Sequence, residues 1–371
     1  MSLLHSFPKV ETRKQFMDTL SDMITPPKSE EGEGGEMRGR PTELKSYLLE
    51  SNSSLSKSFQ FDDVQADISE TGVESIKILT LIRKDTAVQF YLDLSDQRFI
   101  LLHTNHHSEY THDFVRKLIQ SDKNEFDSAW LPTTMLKEIA NKSGNRDEGY
   151  RVDYEDIFQS ISEGDINPRN DVRLDISGTL SKNFLRVIRQ DESIQRTMGY
   201  ERIRIARGAT SKGVLDDVSY DGKFRVVRGK SVDDHIILVD SVKAEYSRKV
   251  QQIEEKRIYG TREKSNGGLN LEGQPFDFTF SRPVEDWTAF LPRMFDSKSP
   301  FRIWGMKTKI DEGFYRVLGV DMHTGHPLDI EISDGLIRVY LPKGSCGNVV
   351  LRLFANLQRY FDSTMQCSQI N

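Results

Sequence analysis

The sequence predicts an α+β protein made of two repeated modules, with a degenerate third. Each is an antiparallel sheet of four or five strands with its helices packed on one face. Three observations lead there. Residues 300–363 hold four apolar-alternating runs parted by the turn segments DEG, HTGHP and SDG, then a glycine loop and a helical pattern. The order strand, helix, four strands, helix is read twice, over 171–258 and over 276–362. The length of 371 residues exceeds what one core fills, since single cores stop growing near about 250–300 residues.

The elements follow in order. Phe16, Leu20 and Met23 fall at helical spacing in 9–24, and Pro26-Pro27 ends that helix because proline cannot continue the ladder. Residues 28–40 are rich in Glu and Gly without apolar periodicity and read as a flexible linker. Pro41 opens a short helix over TELKSYLLES. Strands at 59–68, 75–83, 87–94 and 98–103 form a meander, the last three joined by short Lys-Asp-Thr and Ser-Asp-Gln turns. Helices follow at 110–120, after Pro132, and around 154–161.

The middle module has a strand at 171–177 and a helix at 181–197. Strands at 200–207, 213–219, 223–228 and 235–240 (HIILVD) precede a helix at 241–258. Residues 260–268 read as a linker. A strand at 276–281 and a helix at 283–296 then lead into the four strands and closing helix of the C-terminal module. The expected division is a helix and linker in 1–41, then modules at 42–166 (the degenerate copy), 167–262 and 263–371. The order resembles the saddle-shaped repeat of TATA-binding-protein-like folds over about half the chain, a likeness of topology without a shared motif.

Composition narrows the function. No apolar run reaches the roughly 18 residues that span a bilayer, and no basic segment followed by an apolar core marks a secretory signal, so no membrane partner is expected. Cys346 and Cys367 alone cannot form a disulfide scaffold and are expected to be inert thiols in a reducing, cytoplasmic setting. Residues 1–200 carry 25 Lys and Arg against 34 Asp and Glu, whereas 201–371 carry 26 against 23. Any nucleic-acid contact therefore needs a local basic face rather than overall charge.

Such a face is read in the middle module. In YERIRIAR, Arg202 and Arg204 alternate with Ile203 and Ile205; in KFRVVR, Lys223 and Arg225 alternate with Phe224 and Val226. Alternation puts the cations on one side, where arginine forks suit phosphate or carboxylate. The competing reading is a solvated surface whose cations pair with Asp216, Asp217 and Asp221, each pair weak because it is exposed. The loop KGSCGN before the last helix offers Lys343, helix-start amides and Asn348 as an anion site or a simple N-cap.

Two clusters suggest metal. His103, His107 and His112, with His106, Glu109 and Asp113 nearby, mix imidazole and carboxylate but match no closed motif. Asp321 and His323, with His326, Asp329 and Glu331, form a second group, with Asp329 and Glu331 turned away from the apolar face of Leu328, Ile330 and Ile332. Trp130, Trp287 and Trp304 lie in apolar patterns and are expected in the core. The reading that results is a non-catalytic binding or adaptor protein without a cofactor, contacting nucleic acid or an acidic protein partner through the arginine face. The alternative is a divalent-metal hydrolase or nuclease using a His/carboxylate cluster.

Overall fold

A computed structural model describes residues 6–24, 43–52, 55, 58–121, 125–142, 144–158, 171–178, 180–208, 213–262 and 269–370. The linker read at 28–40 and most of that read at 260–268 lie outside the described residues. In chain order the elements are α1 (Arg13–Ile24), β1 (Lys45–Ser51), β2 (Phe59–Phe61), β3 (Val64–Glu70), β4 (Ile76–Arg83), β5 (Thr86–Asp93), β6 (Phe99–Thr104), α2 (Ser108–Gln120) and β7 (Phe126–Ser128). There follow α3 (Thr133–Asn141), β8 (Asn145–Glu155), β9 (Asp171–Ser177), α4 (Ser181–Ile188), α5 (Glu192–Arg196), β10 (Tyr200–Arg207), β11 (Val214–Ser219), β12 (Lys223–Gly229) and α6 (Val232–Glu255). The rest are β13 (Tyr259–Arg262), β14 (Leu269–Glu272), β15 (Phe276–Thr279), α7 (Trp287–Met294), β16 (Ile303–Asp311), β17 (Phe314–Asp321), β18 (Pro327–Ser333), β19 (Leu336–Tyr340) and α8 (Asn348–Tyr360).

The α+β class with antiparallel sheets is as expected; the repeat is not. The stretch 45–51 is a strand, not a helix. Every residue of β1 is buried between β6 and β12, and a short run buried on both faces carries no periodicity to tell strand from helix. HIILVD belongs to α6, not to a strand. The Ser231 hydroxyl accepts from the Asp234 N–H at 3.1 Å and caps the helix start. The buried positions His235, Leu238, Val239 and Val242 then repeat at helical spacing. The helix read around 154–161 gives way at its start to β8, which runs through Glu155. Three strands, not four, thus follow the helices of the middle stretch, and the order of the TATA-binding-protein-like repeat is not kept.

The chain condenses into two compact units that are discontinuous in sequence and cut across the serial modules. The first comprises Met1–Ala129, Lys142–Arg146 and Arg204–Lys243; the second comprises Trp130–Asn141, Asp147–Ile203 and Ala244–Asn371.

In the first unit the strand order runs β2-β3-β4-β5-β6-β1-β12-β11, with β7 beside β1. Successive side chains go to opposite faces, and both faces are covered. On one, α2 lays Phe114, Val115 and Leu118 against Tyr47, Leu81, Phe90 and Leu102. On the other, α1 lays Phe16, Leu20 and Met23 against Ile78, Tyr91 and Val226. Helices on both faces depart from the expected one-sided packing.

A chain of buried polar groups crosses the second of these faces. Asp216 Oδ1 lies 2.8 Å from His235 Nδ1, His235 Nε2 lies 2.9 Å from Ser46 Oγ, and Ser46 Oγ lies 2.8 Å from His103 Nδ1. All four side chains are at most 1% exposed. Burial holds the His103 imidazole down at about 3, against an opposing pull from Asp93. The Asp216 carboxylate accepts from His235 Nδ1–H, and the Ser46 hydroxyl links the two imidazoles.

In the second unit the order β15-β19-β18-β17-β16 makes a five-stranded antiparallel sheet. Its inner face carries Leu328, Ile330 and Ile332, all buried as alternation requires. Helices α7 and α8 cover that face: Phe354 stacks on Phe278 at 5.3 Å, and Trp287 meets Tyr315 at 4.9 Å. Trp130 is buried, but Trp304 is 52% exposed, against the expected core position. It lies on the outer face of β16, opposite buried Ile303. Among the described residues no helix is long and apolar enough to cross a membrane.

Two outcomes test the buried chain. Ser46→Ala leaves two buried ring nitrogens without their partner and is expected to cost about 2–4 kcal/mol in urea unfolding at pH 7; a loss below about 0.5 kcal/mol contradicts the assignment. His103 is held below its unfolded value, so the unfolded chain binds the extra proton and stability falls with pH between about 6.5 and 3. From pH 6.5 to 5 this residue should remove about 1–2 kcal/mol, and His103→Asn should flatten that slope.

Candidate anion-binding interface

Three elements of the first unit converge on a cleft of about 820 Å³. The β4–β5 hairpin supplies Arg83 and Lys84; Lys84 adopts the left-handed conformation of a two-residue turn (φ 51°) and stands exposed. Helix α2 supplies Tyr110, His112 and Arg116. Strand β12 supplies Lys223. Four cations thus line the cleft against two carboxylates, Glu109 and Asp113.

Asp113 positions as well as neutralises. Asp113 accepts from Arg116 at 2.8 Å and from Arg83 at 3.3 Å, while Asp63 accepts from Arg83 at 2.5 Å and from Lys117 at 2.9 Å. The salt bridges fix the arginine heads, and Lys84 and Lys223 complete the cationic lining. Lys223 Nζ lies 5.6 Å from the centre of the Tyr47 ring. Burial keeps the His112 imidazole below its usual range, with Asp221 pulling the other way and Lys223 and Arg116 adding to the depression. A second cleft, about 740 Å³ with Lys77 and Arg98 in its lining, holds its cations against Glu70 and the buried Glu50.

The cleft continues into a row of charge across the sheet. Register sets Lys45 of β1 beside Arg225 of β12, and Arg225 beside Asp217 of β11. Lys223 and Arg225 point to the α2 face while Phe224 and Val226 are buried on the other, as alternation in KFRVVR requires. Lys45 is 1% exposed and donates to the carbonyl oxygens of His106 at 2.7 Å and Glu43 at 3.0 Å. Burial first, then Lys223, pushes its ammonium down to about 7. Sequence reasoning missed Lys45 because its strand was taken for a helix.

The arginines of the predicted face sit in differing settings. Arg204 Nε donates to Asp217 Oδ1 at 2.7 Å and its NH2 to Oδ2 at 3.2 Å; Arg225 donates to the same carboxylate at 2.7 Å. Asp217 is 1% exposed, so this is no weak surface pair. Arg202, in the second unit, pairs with the half-exposed Asp175 at 2.9 Å.

The remaining candidates are scattered. His103 belongs to the buried chain, His107 caps α2 by accepting from the Glu109 N–H at 3.4 Å, and His112 lines the cleft. They do not meet around one point. Asp321 is buried against Arg352 and accepts the His323 N–H at 3.1 Å, which gives the carboxylate a turn-forming and ion-pairing role. Lys343 lies over the Tyr259 ring at 5.7 Å. Asn348 is buried and takes the Tyr246 hydroxyl, and the Gly347 N–H at the start of α8 already donates to the Glu254 carboxylate at 2.9 Å. An internal anion therefore occupies the helix start that the loop offered. Both cysteines are buried, and burial pushes the Cys367 thiol up to about 12.

Fold and site together define an α+β protein of two compact units, the first bearing a basic cleft. The chain belongs to the MJECL33-like protein family, whose model matches residues 5–370. It is 30% identical over 361 residues to the uncharacterized protein MJECL33 of Methanocaldococcus jannaschii, covering 86% of this chain and 85% of that one. No solved structure matches.

The Asp217 carboxylate gives a direct check on this geometry. Asp217→Asn keeps the shape but leaves Arg204 and Arg225 without their shared charge, and should lower unfolding free energy by about 2–3 kcal/mol. Arg202→Ala, which breaks an exposed pair, should cost less than about 1 kcal/mol. Equal losses in the two variants would show the Asp217 site to be solvated.

Proposed function

We propose that this protein is a non-catalytic binding protein that takes a single-stranded nucleic acid along the cleft and the Lys223–Arg225 row. The observation that carries this reading is the convergence of Arg83, Lys84, Arg116 and Lys223, from three separate elements, on one cleft. Tyr110 in its lining gives an aromatic surface on which a base can stack, and such stacking tolerates any sequence. The depressed Lys45 ammonium supports the same reading. Its charge is disfavoured by burial and by the cations beside it, and a phosphate on that face would favour the charged form. Catalysis on the strand is not part of the proposal, because Asp113 in the cleft and Asp217 in the row beside it are both engaged by arginines.

The measurement is fluorescence anisotropy of a labelled thymidine 12-mer against salt. Contacts from Lys84, Arg116, Lys223 and Arg225 should give a slope of log affinity on log salt of about −3, and Lys223→Ala should flatten it by about 0.7. Asp217→Asn should tighten binding by removing the negative charge that Arg225 pairs with. Affinity should fall as pH rises above 7, by up to about tenfold per unit, because the complex takes up a proton at Lys45; Lys45→Met should abolish that dependence. Absence of binding at about 20 mM salt, where counterion release favours association most, would sink the proposal.

A further inference from the structure

The five-stranded sheet of the second unit ends on an edge that is closed at one end and open at the other. The Ser297 N–H donates to the Ile303 oxygen at 3.0 Å, and Asp296 bridges Trp304. Beyond that point β16 is the last strand in its sheet, and among the described residues no strand pairs its outer side from Gly305 on. Because the Ile303 carbonyl points outward, strand alternation turns the backbone groups of Gly305, Lys307 and Lys309 outward too. The register shift between Lys309 and Asp311 ends the regular stretch.

The side chains along this edge are sorted by chemistry. On the outer face Trp304 is 52% exposed, Met306 is 58% exposed, and Leu318, directly across from Met306 on β17, is 51% exposed. On the opposite face the strand is first tucked against the fold at Gly305, where an added Cβ would come within 2.5 Å of Val317 and 3.1 Å of the Phe295 ring. It then leaves that cover, so that Lys307 and Lys309 are exposed, Lys309 in a surface pair with the exposed Glu312 at 2.6 Å that an acidic partner residue can replace. Trp and Met are residue types enriched where proteins bind one another, and an apolar patch rimmed by charge marks such a site.

We propose that the open edge of β16 binds an extended segment of a partner protein in which apolar and acidic residues alternate. Such a segment adds an antiparallel strand to the sheet and bonds the outward backbone of Gly305, Lys307 and Lys309. Its residues on the outer face meet Trp304, Met306 and Leu318 and must be apolar. Those on the other face meet Lys307 and Lys309 and must be acidic. Charge selects this occupant over a second copy of the chain: pairing Gly305–Lys309 with itself puts Lys307 opposite Lys307, and edge lysines of this kind oppose self-association. The inference rests on no part of the nucleic-acid reading, since it uses only the second unit.

The test uses two fluorescein-labelled ten-residue peptides, one alternating Val and Glu, the other alternating Val and Lys, titrated with the full chain and followed by anisotropy. The Val/Glu peptide should bind saturably and the Val/Lys peptide at least tenfold more weakly. Lys307→Glu with Lys309→Glu should reverse that preference, and Met306→Glu should weaken Val/Glu binding at least tenfold with an unchanged circular dichroism spectrum. A Val/Glu peptide N-methylated at alternate residues, which lacks the bonding N–H groups, should not bind. The proposal fails if wild type binds both peptides equally, if it binds neither at millimolar concentration, or if the N-methylated peptide binds as well as its parent. It also fails if sedimentation shows a dimer that Met306→Glu disperses, which would assign the edge to a second copy.

Discussion

The first unit depends on one hydroxyl. Ser46 lies within hydrogen-bond reach of two imidazoles, and Asp216 stands behind one of them. These four side chains come from β1, β6, β11 and α6, so a single hydrogen-bonded row fixes three strands and a helix against one another. Buried polar groups are costly when unpaired and specify geometry when paired, because a shift of one residue in any strand would strand a donor or acceptor away from water. The aromatic packing around the row follows from this. Phe16 of α1 meets the His103 ring edge-on at 5.9 Å, which seats the first helix over the same junction.

The opposite face of β1 inherits its order from that junction. Ser46 points to the α1 and α6 side, so Lys45 and Tyr47 must point to the α2 side. There Tyr47 bonds Thr111 of α2 at 2.9 Å, and Lys45 sits beside Arg225. A hydrogen-bonded face and a cationic face thus share one strand. The cationic face carries the strain, since burial and neighbouring cations both oppose the Lys45 charge. The second unit handles charge differently. Arg352 is buried with Asp321 and donates to the Phe301 carbonyl at 2.7 Å, so a fully buried arginine is spent on internal structure.

What the sequence by itself determined is the local pattern wherever one face is wet. Alternation in PLDIEIS put Leu328, Ile330 and Ile332 inside, and alternation in KFRVVR put Lys223 and Arg225 opposite Phe224 and Val226. The turns DEG and SDG stood where the hairpins of the last sheet reverse, and the closing helix lay where its apolar spacing put it. These hold because period-2 and period-3.6 burial are imposed by the backbone itself. Only the tertiary structure decided the rest. KSYLLES became a central strand because neighbours cover both its faces, which erases the periodicity. HIILVD became helix because the cap at Ser231 and burial continuing through Val242 extend a pattern that six residues cannot show. The cleft joins residues from 83 to 223, and the Asp216–His235–Ser46–His103 row joins residues from 46 to 235. Neither spacing leaves a motif, because contact in space is set by strand order and not by distance along the chain.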